Sequence, residues 1–190
     1  MNETRLSLLQ RLSNRADTKS WREFNELYEP MLLAYLLKQG VDRNSVQDVV
    51  QNVFILLLRK LHQFDRGKGR FRTWLWQVAH NALVDFRRKE NVVKKAERNA
   101  QKEEEVTEPD DDWEMMHRQR ILEFAKEQVR QETSPKTWAC FEEHILKGRP
   151  GSEVGRELDL TVNTVHVHSS RVLKQIRERC AAYREDLGDD

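Results

Sequence analysis

A chain of 190 residues, 34% charged and 38% hydrophobic, is long enough for one ordinary domain or two small ones. With only 7 Gly and 4 Pro to interrupt its helix formers, it predicts an all-α fold. No apolar run reaches the roughly 18 residues of a membrane span, and the start MNETRLSLLQRLSNR lacks the apolar core of a secretory signal, so no membrane insertion and a cytoplasmic location are expected. Cys140 and Cys180 lie far apart, with no zinc or redox spacing around either, which predicts two reduced thiols and no metal site. Without a phosphate-cradling glycine loop or a nucleophile paired with a base, no catalytic residue and no cofactor are expected.

The near-zero net charge of +1 conceals segregation. Residues 59–95 carry 11 positive and 3 negative groups, and residues 96–114 carry 2 and 9. A basic block of this kind suits a polyanion, because local potential governs a phosphate contact more than total charge does. Read alone, a charge run is better taken as a solvated helix end beside a solvated linker. The acidic stretch AQKEEEVTEPDDDWE contains Pro109 and no apolar period, and predicts a flexible linker over residues 97–114 between domains at 1–96 and 115–190.

The first domain reads as four helices. A short one falls at residues 4–14; the next starts at Ser20, where Ser20 and Glu23 have capping-box spacing, and runs past Pro30 to Lys38 before Gly40. A third, at residues 44–62, carries Val46, Val49, Val50, Val53, Phe54, Leu57, Leu58 and Leu61 at three- and four-residue intervals. Gly67 and Gly69 then break the pattern and leave Arg66, Lys68 and Arg70 on a loop. In the fourth helix, FRTWLWQVAHNALVDFRRKE, one face collects Phe71, Trp74, Leu75, Val78, Ala82 and Phe86, and predicts core packing. Another collects Arg72, Trp76, His80, Leu83 and Arg87, where a ring among cations is suited to stack on a nucleobase.

In the second domain a helix is expected at residues 115–131. Ser134 and Pro135 open another that Gly148 closes. A short helix from Ser152, a tight turn around Asp159 and a long helix after Thr161 then form a helix-turn-helix, held by Val154, Leu158, Leu160, Val165, Val172, Leu173 and Ile176. The start of the second helix enters the major groove in such motifs, which makes Asn163, Thr164, His166, Val167, Ser170 and Arg171 candidate readers. The same pattern also serves an αα-hairpin used only for packing.

Taken together, these segments resemble the sigma-70 family of transcription initiation factors, in its small two-domain extracytoplasmic-function (ECF) group. DVVQNVFILLLRKLHQFD is similar to the polymerase-binding helix of region 2, FRTWLWQVAHNALVDFRRK to the promoter-melting segment, and GSEVGRELDLTVNTVHVHSSRVLKQIRE to region 4. The resemblance implies that Asp48, Val49, Gln51, Asn52, Phe54 and Leu57 bind the clamp helices of the largest subunit of core RNA polymerase. It implies minus-ten DNA contacts from Asp65, Arg66, Lys68, Arg70, Arg72, Trp76, His80, Asn81, Arg87 and Arg88, with the loop at Asp65–Arg70 cradling a flipped base and Trp74 in the core. Region 4 would read the minus-thirty-five element of promoter DNA through Thr161, Asn163, Thr164, His166, Val167, Ser170 and Arg171, and would touch the polymerase flap. His166 and His168 stand where the family often has Lys or Arg, and are mostly neutral near pH 7. Two domains around a linker also suit an anti-sigma factor wedged between them. The alternatives are a free-standing helix-turn-helix regulator and an interaction protein that sequesters a partner.

Overall fold

The computed structural model describes residues 8–12, 14, 16–65, 67–94, 109 and 111–187; their regular structure is helical, with no strand among them. The chain divides into two compact units, residues 1–120 with 184–190, and residues 121–183.

In the N-terminal unit α1 (Leu8–Leu12) buries Leu8, Leu9 and Leu12. α2 (Thr18–Lys38) starts two residues before the capping-box reading, because Asp17 is its cap: Asp17 Oδ1 accepts from the Ser20 amide at 3.0 Å and Oδ2 from the Ser20 hydroxyl at 2.7 Å. Those bonds hold the Asp17 carboxyl below its usual pKa. Ser20 is thus a buried partner of the cap, and Glu23 pairs with Arg11 at 3.0 Å, tying α1 to α2.

α3 (Val46–Lys60) presents Val46, Val49, Val50, Val53 and Leu57 to the core, a heptad-like stripe, and ends in a 3₁₀ turn, Leu61–Gln63. α4 (Phe71–Lys94) packs along α3 and buries both of its faces: Phe71, Leu75, Val78 and Ala82 on one, Arg72, Trp76, Ala79 and Leu83 on the other. Phe24, Tyr28, Phe64, Phe71 and Trp74 form a continuous run of ring contacts across α2 and α4.

α5 (Asp111–Glu132) starts earlier than the sequence suggested. Residues 111–114, read as the end of a flexible linker, form its first turn, and Trp113 in that turn is fully buried. The physical reason is the tryptophan itself, whose ring finds an edge-on partner in Tyr35 at 4.9 Å. The division between units accordingly follows Arg120 and not residue 114. The rest of the linker reading, residues 97–108 and 110, lies outside the described residues.

In the C-terminal unit α6 (Pro135–Phe141) begins at the Ser134 cap, whose hydroxyl accepts from the Thr137 amide, and continues as one π-helical turn, Glu142–Leu146, before Gly148 turns the chain at φ +68°. α7 (Gly151–Leu158) and α8 (Val162–Leu187) enclose a left-handed residue, Asp159, at φ 53°. Val154, Val165 and Cys140 form one core patch, and Ala125, Val129, Trp138, Phe141, Val172 and Ile176 another. Gly155 is where the turn folds back on α7: a Cβ there would lie 2.7 Å from the Leu160 carbonyl oxygen.

Candidate nucleic-acid interface

Between α3 and α4 the loop Phe64–Arg70 is shaped by Asp65, whose Oδ1 accepts from the Gly67 amide at 2.9 Å while its backbone carbonyl accepts from the Lys68 amide at 3.0 Å. The loop walls a recess of about 230 Å³ with Gln63, Phe64, Asp65, Lys68, Gly69, Arg70, Thr73, Trp74 and Gln77. Trp74 is half-buried, held by Phe64 at 5.5 Å and Phe71 at 5.6 Å, and the rest of its ring faces this recess. Lys68 and Arg70 are exposed at its rim, so one aromatic surface and two cations converge. Arg66 lies outside the described residues.

The two tryptophans differ in burial from what the sequence predicted. Trp76, the expected stacking surface, is 3% exposed and lies parallel to His80 at 5.0 Å; Trp74, expected in the core, is the ring at the recess. Arg72 is likewise withdrawn at 7% exposure, its Nε donating to Glu114 Oε1 at 2.6 Å. The cause is that α4 is packed on two sides, so the stripe Arg72, Trp76, Ala79, Leu83 is as much a core face as Phe71, Leu75, Val78, Ala82.

His80 is half-buried and its pKa is lowered, first by that burial and then by the Arg87 charge, so its ring is a neutral partner for Trp76. Arg87 is exposed but committed in part, since its Nη2 donates to the carbonyl of Gln39 at the end of α2, at 2.6 Å. Asn81 and Arg88 are exposed on the same helix.

On α3, Asp48 and Gln51 are exposed and Asn52 and Phe54 are half-buried, whereas Val49 and Leu57 are core residues and offer nothing to a partner. Phe54 lies edge-on to Phe24 at 6.2 Å. Two residues not assigned to a partner, Ile55 at 45% exposure and Leu58 at 39%, share the outer face with Asp48 and Gln51. Their signal was present in the sequence: positions 48, 51, 55 and 58 follow helical spacing displaced from the Val46–Val53–Leu57 stripe. Leu58 therefore does not belong to the core stripe.

In the C-terminal unit Thr161 caps α8, its Oγ1 accepting from the Thr164 amide at 3.1 Å and lying 2.8 Å from the Thr164 hydroxyl. The two threonines are thus engaged in shaping the turn. Asn163, His166, Val167, Ser170 and Arg171 are all exposed along the first turns of α8, as a reading face requires. His166 lies edge-on to His144 at 4.7 Å, and His168 is half-buried, its Nδ1 at 3.8 Å from the Cys140 sulfur. Burial raises the Cys140 thiol pKa, which keeps it protonated and unreactive.

The residues that frame this recess lie within 25–92, which match the family Sigma-70 region 2. The chain is similar to the ECF RNA polymerase sigma factor SigX of Bacillus subtilis, 24% identical over 178 residues that cover 87% of this chain and 86% of that one. It is similar also to the ECF RNA polymerase sigma factor RpoE of Cereibacter sphaeroides, 24% identical over 45% of this chain and 47% of that protein. The ECF RNA polymerase sigma-E factor of Haemophilus influenzae is 41% identical over a shorter stretch, 28% of each chain. Residues 25–92 thus carry a sigma-70 region 2, and over most of its length the chain is similar to an ECF RNA polymerase sigma factor. No helix among the described residues is long and apolar enough to cross a membrane.

Proposed function

We propose that this chain recruits core RNA polymerase to a class of promoters and holds the minus-ten element open. The observation that carries this reading is the recess beside Trp74: an unstacked base enters it against the exposed part of that ring, while Lys68 and Arg70 meet the neighbouring phosphates. Stacking needs no base-specific hydrogen bond, so discrimination falls to the polar groups at the rim, Asp65, Thr73 and Gln77. Arg88 and Asn81 extend the strand path along α4. Polymerase is bound by the outer face of α3, where Asp48, Gln51 and Asn52 supply polar contacts beside Ile55 and Leu58. The N-terminal unit thus acts as region 2 and the C-terminal unit as region 4.

In region 4, Asn163, Ser170 and Arg171 bond base edges and phosphates in the major groove of the minus-thirty-five element, and Val167 packs on a thymine methyl. Thr161 and Thr164 set the geometry of that helix start. Ile145 and Leu146, exposed at 41% and 50% on the π-helical turn, offer apolar contact to the polymerase flap. An anti-sigma factor covering either surface would silence the chain. No bond is made or broken by these residues; binding energy holds the strands apart while the polymerase does the chemistry.

Run-off transcription of a fragmented genome with core polymerase tests the reading. Transcripts that begin downstream of a common pair of elements, only when the chain is added, are expected. Tight, sequence-specific gel shifts by the chain alone, with no transcription, would instead identify a free-standing regulator.

A further inference from the structure

Pro30 stands in the body of α2. A proline there has no N–H for the carbonyl four residues back, and its ring crowds that carbonyl. In α2 the carbonyl left without its helical donor is that of Glu26. A donor arrives from another helix: Arg120 of α5 gives Nη2 to the Glu26 oxygen at 2.7 Å and Nε to the Leu27 oxygen at 2.9 Å. The flat guanidinium spans two successive carbonyls, which a single ammonium cannot do with the same geometry.

Three residues at helical spacing seat the same stripe of α5 on the N-terminal unit: Trp113, His117 and Arg120. The Trp113 indole N–H donates to the Arg72 carbonyl at 3.1 Å in the first turn of α4, and its ring is fully buried against Tyr35. His117, 1% exposed, stacks on Tyr28 at 5.9 Å with Nε2 3.2 Å from the hydroxyl. Glu114 accepts from Arg72, and Asp112 pairs with Lys38. The match to region 2 ends at residue 92, so this stripe is an addition to it in sequence and a part of its unit in space.

We propose that Asp111–Arg120 is a docking element of the N-terminal unit, received at the Glu26 carbonyl that Pro30 leaves without a helical donor and at its neighbour, the Leu27 carbonyl, and that its seating withdraws Arg72 from the strand-binding surface. The docking stands on its own; only the statement about Arg72 rests on the promoter role proposed above.

Hydrogen exchange of the full-length chain, without DNA, tests the docking. Arg120→Ala is expected to raise exchange across residues 111–120 by at least about tenfold while the amides of α3 stay as protected as before. Arg120→Lys, which keeps the charge and loses the fork, is expected to fall between. Pro30→Ala is the discriminating variant: it restores the N–H for Glu26 and favours α2 as a helix, yet it is expected to loosen residues 111–120, and Arg120→Ala added to it is expected to cost little more. Unchanged protection of 111–120 in Pro30→Ala, or an undiminished Arg120→Ala effect in that background, overturns the assignment.

The Arg72 statement is read from the salt dependence of single-stranded oligonucleotide binding by the reconstituted holoenzyme. Release of one cation in Arg120→Ala is expected to steepen the slope of log K against log salt by about 0.7. An unchanged slope in a variant whose 111–120 exchange has risen refutes that statement and leaves the docking intact. Failure of the unsubstituted holoenzyme to bind the oligonucleotide removes the promoter reading instead, together with the Arg72 statement that depends on it.

Discussion

Truncating the two neighbouring tryptophans of α4 is expected to damage different properties. Trp76 is 3% exposed, so Trp76→Ala removes a buried indole and leaves a cavity under His80, at a cost of about 3–5 kcal/mol. Against an ordinary domain stability of about 5–15 kcal/mol, that loss takes Tm down on the order of 10–25 °C. Trp74 is half-buried and one side of it lies open at the recess, so Trp74→Ala costs less stability and loses the stacking surface instead. Base-on-ring stacking is worth about 1–3 kcal/mol, which is roughly a fivefold to hundredfold loss in affinity for a melted strand. Urea melts of each variant, paired with fluorescence anisotropy of a labelled non-template oligonucleotide on the reconstituted holoenzyme, separate the two effects. A Trp76→Ala protein as stable as the parent, or a Trp74→Ala holoenzyme with undiminished strand affinity, would refute this reasoning.

His117 sets a pH dependence. Burial, and then the charges of Arg72 and Arg118, lower its pKa from 6.5 to about 4, so the folded state resists a proton that the unfolded chain accepts. The contribution is whole above pH 6.5 and is lost as pH falls toward 4, about 3 kcal/mol across the window; His117→Gln should flatten that part of a stability profile measured by urea melts. Gly155→Ala forces a Cβ to 2.7 Å from the Leu160 oxygen and is expected to destabilise the C-terminal unit by about 1–3 kcal/mol in thermal unfolding. Ile55→Glu with Leu58→Glu alters only exposed positions of α3; it should weaken capture of core polymerase in a pull-down at least about tenfold while leaving Tm within a few degrees.

Periodicity and turn chemistry, which act within a few residues, were enough to mark most helices of this chain. The α3 stripe, the Ser134–Pro135 start, the turn at Asp159 and the Thr161 boundary all follow from local backbone preference, and Gly67 and Gly69 marked the loop that carries Lys68 and Arg70. What a helix packs against is not local. The Arg72–Trp76–Ala79–Leu83 stripe has the same spacing whether it faces water or a core, and only the second packing surface of α4 made it interior and left Trp74 at the recess. The same holds for Arg120 and Pro30, ninety positions apart. The sequence shows a proline inside a helix and an arginine two residues after Arg118; the fold brings the guanidinium to the carbonyl that lacks a donor, because an unsatisfied backbone oxygen is costly to leave wherever the chain allows a partner to reach it.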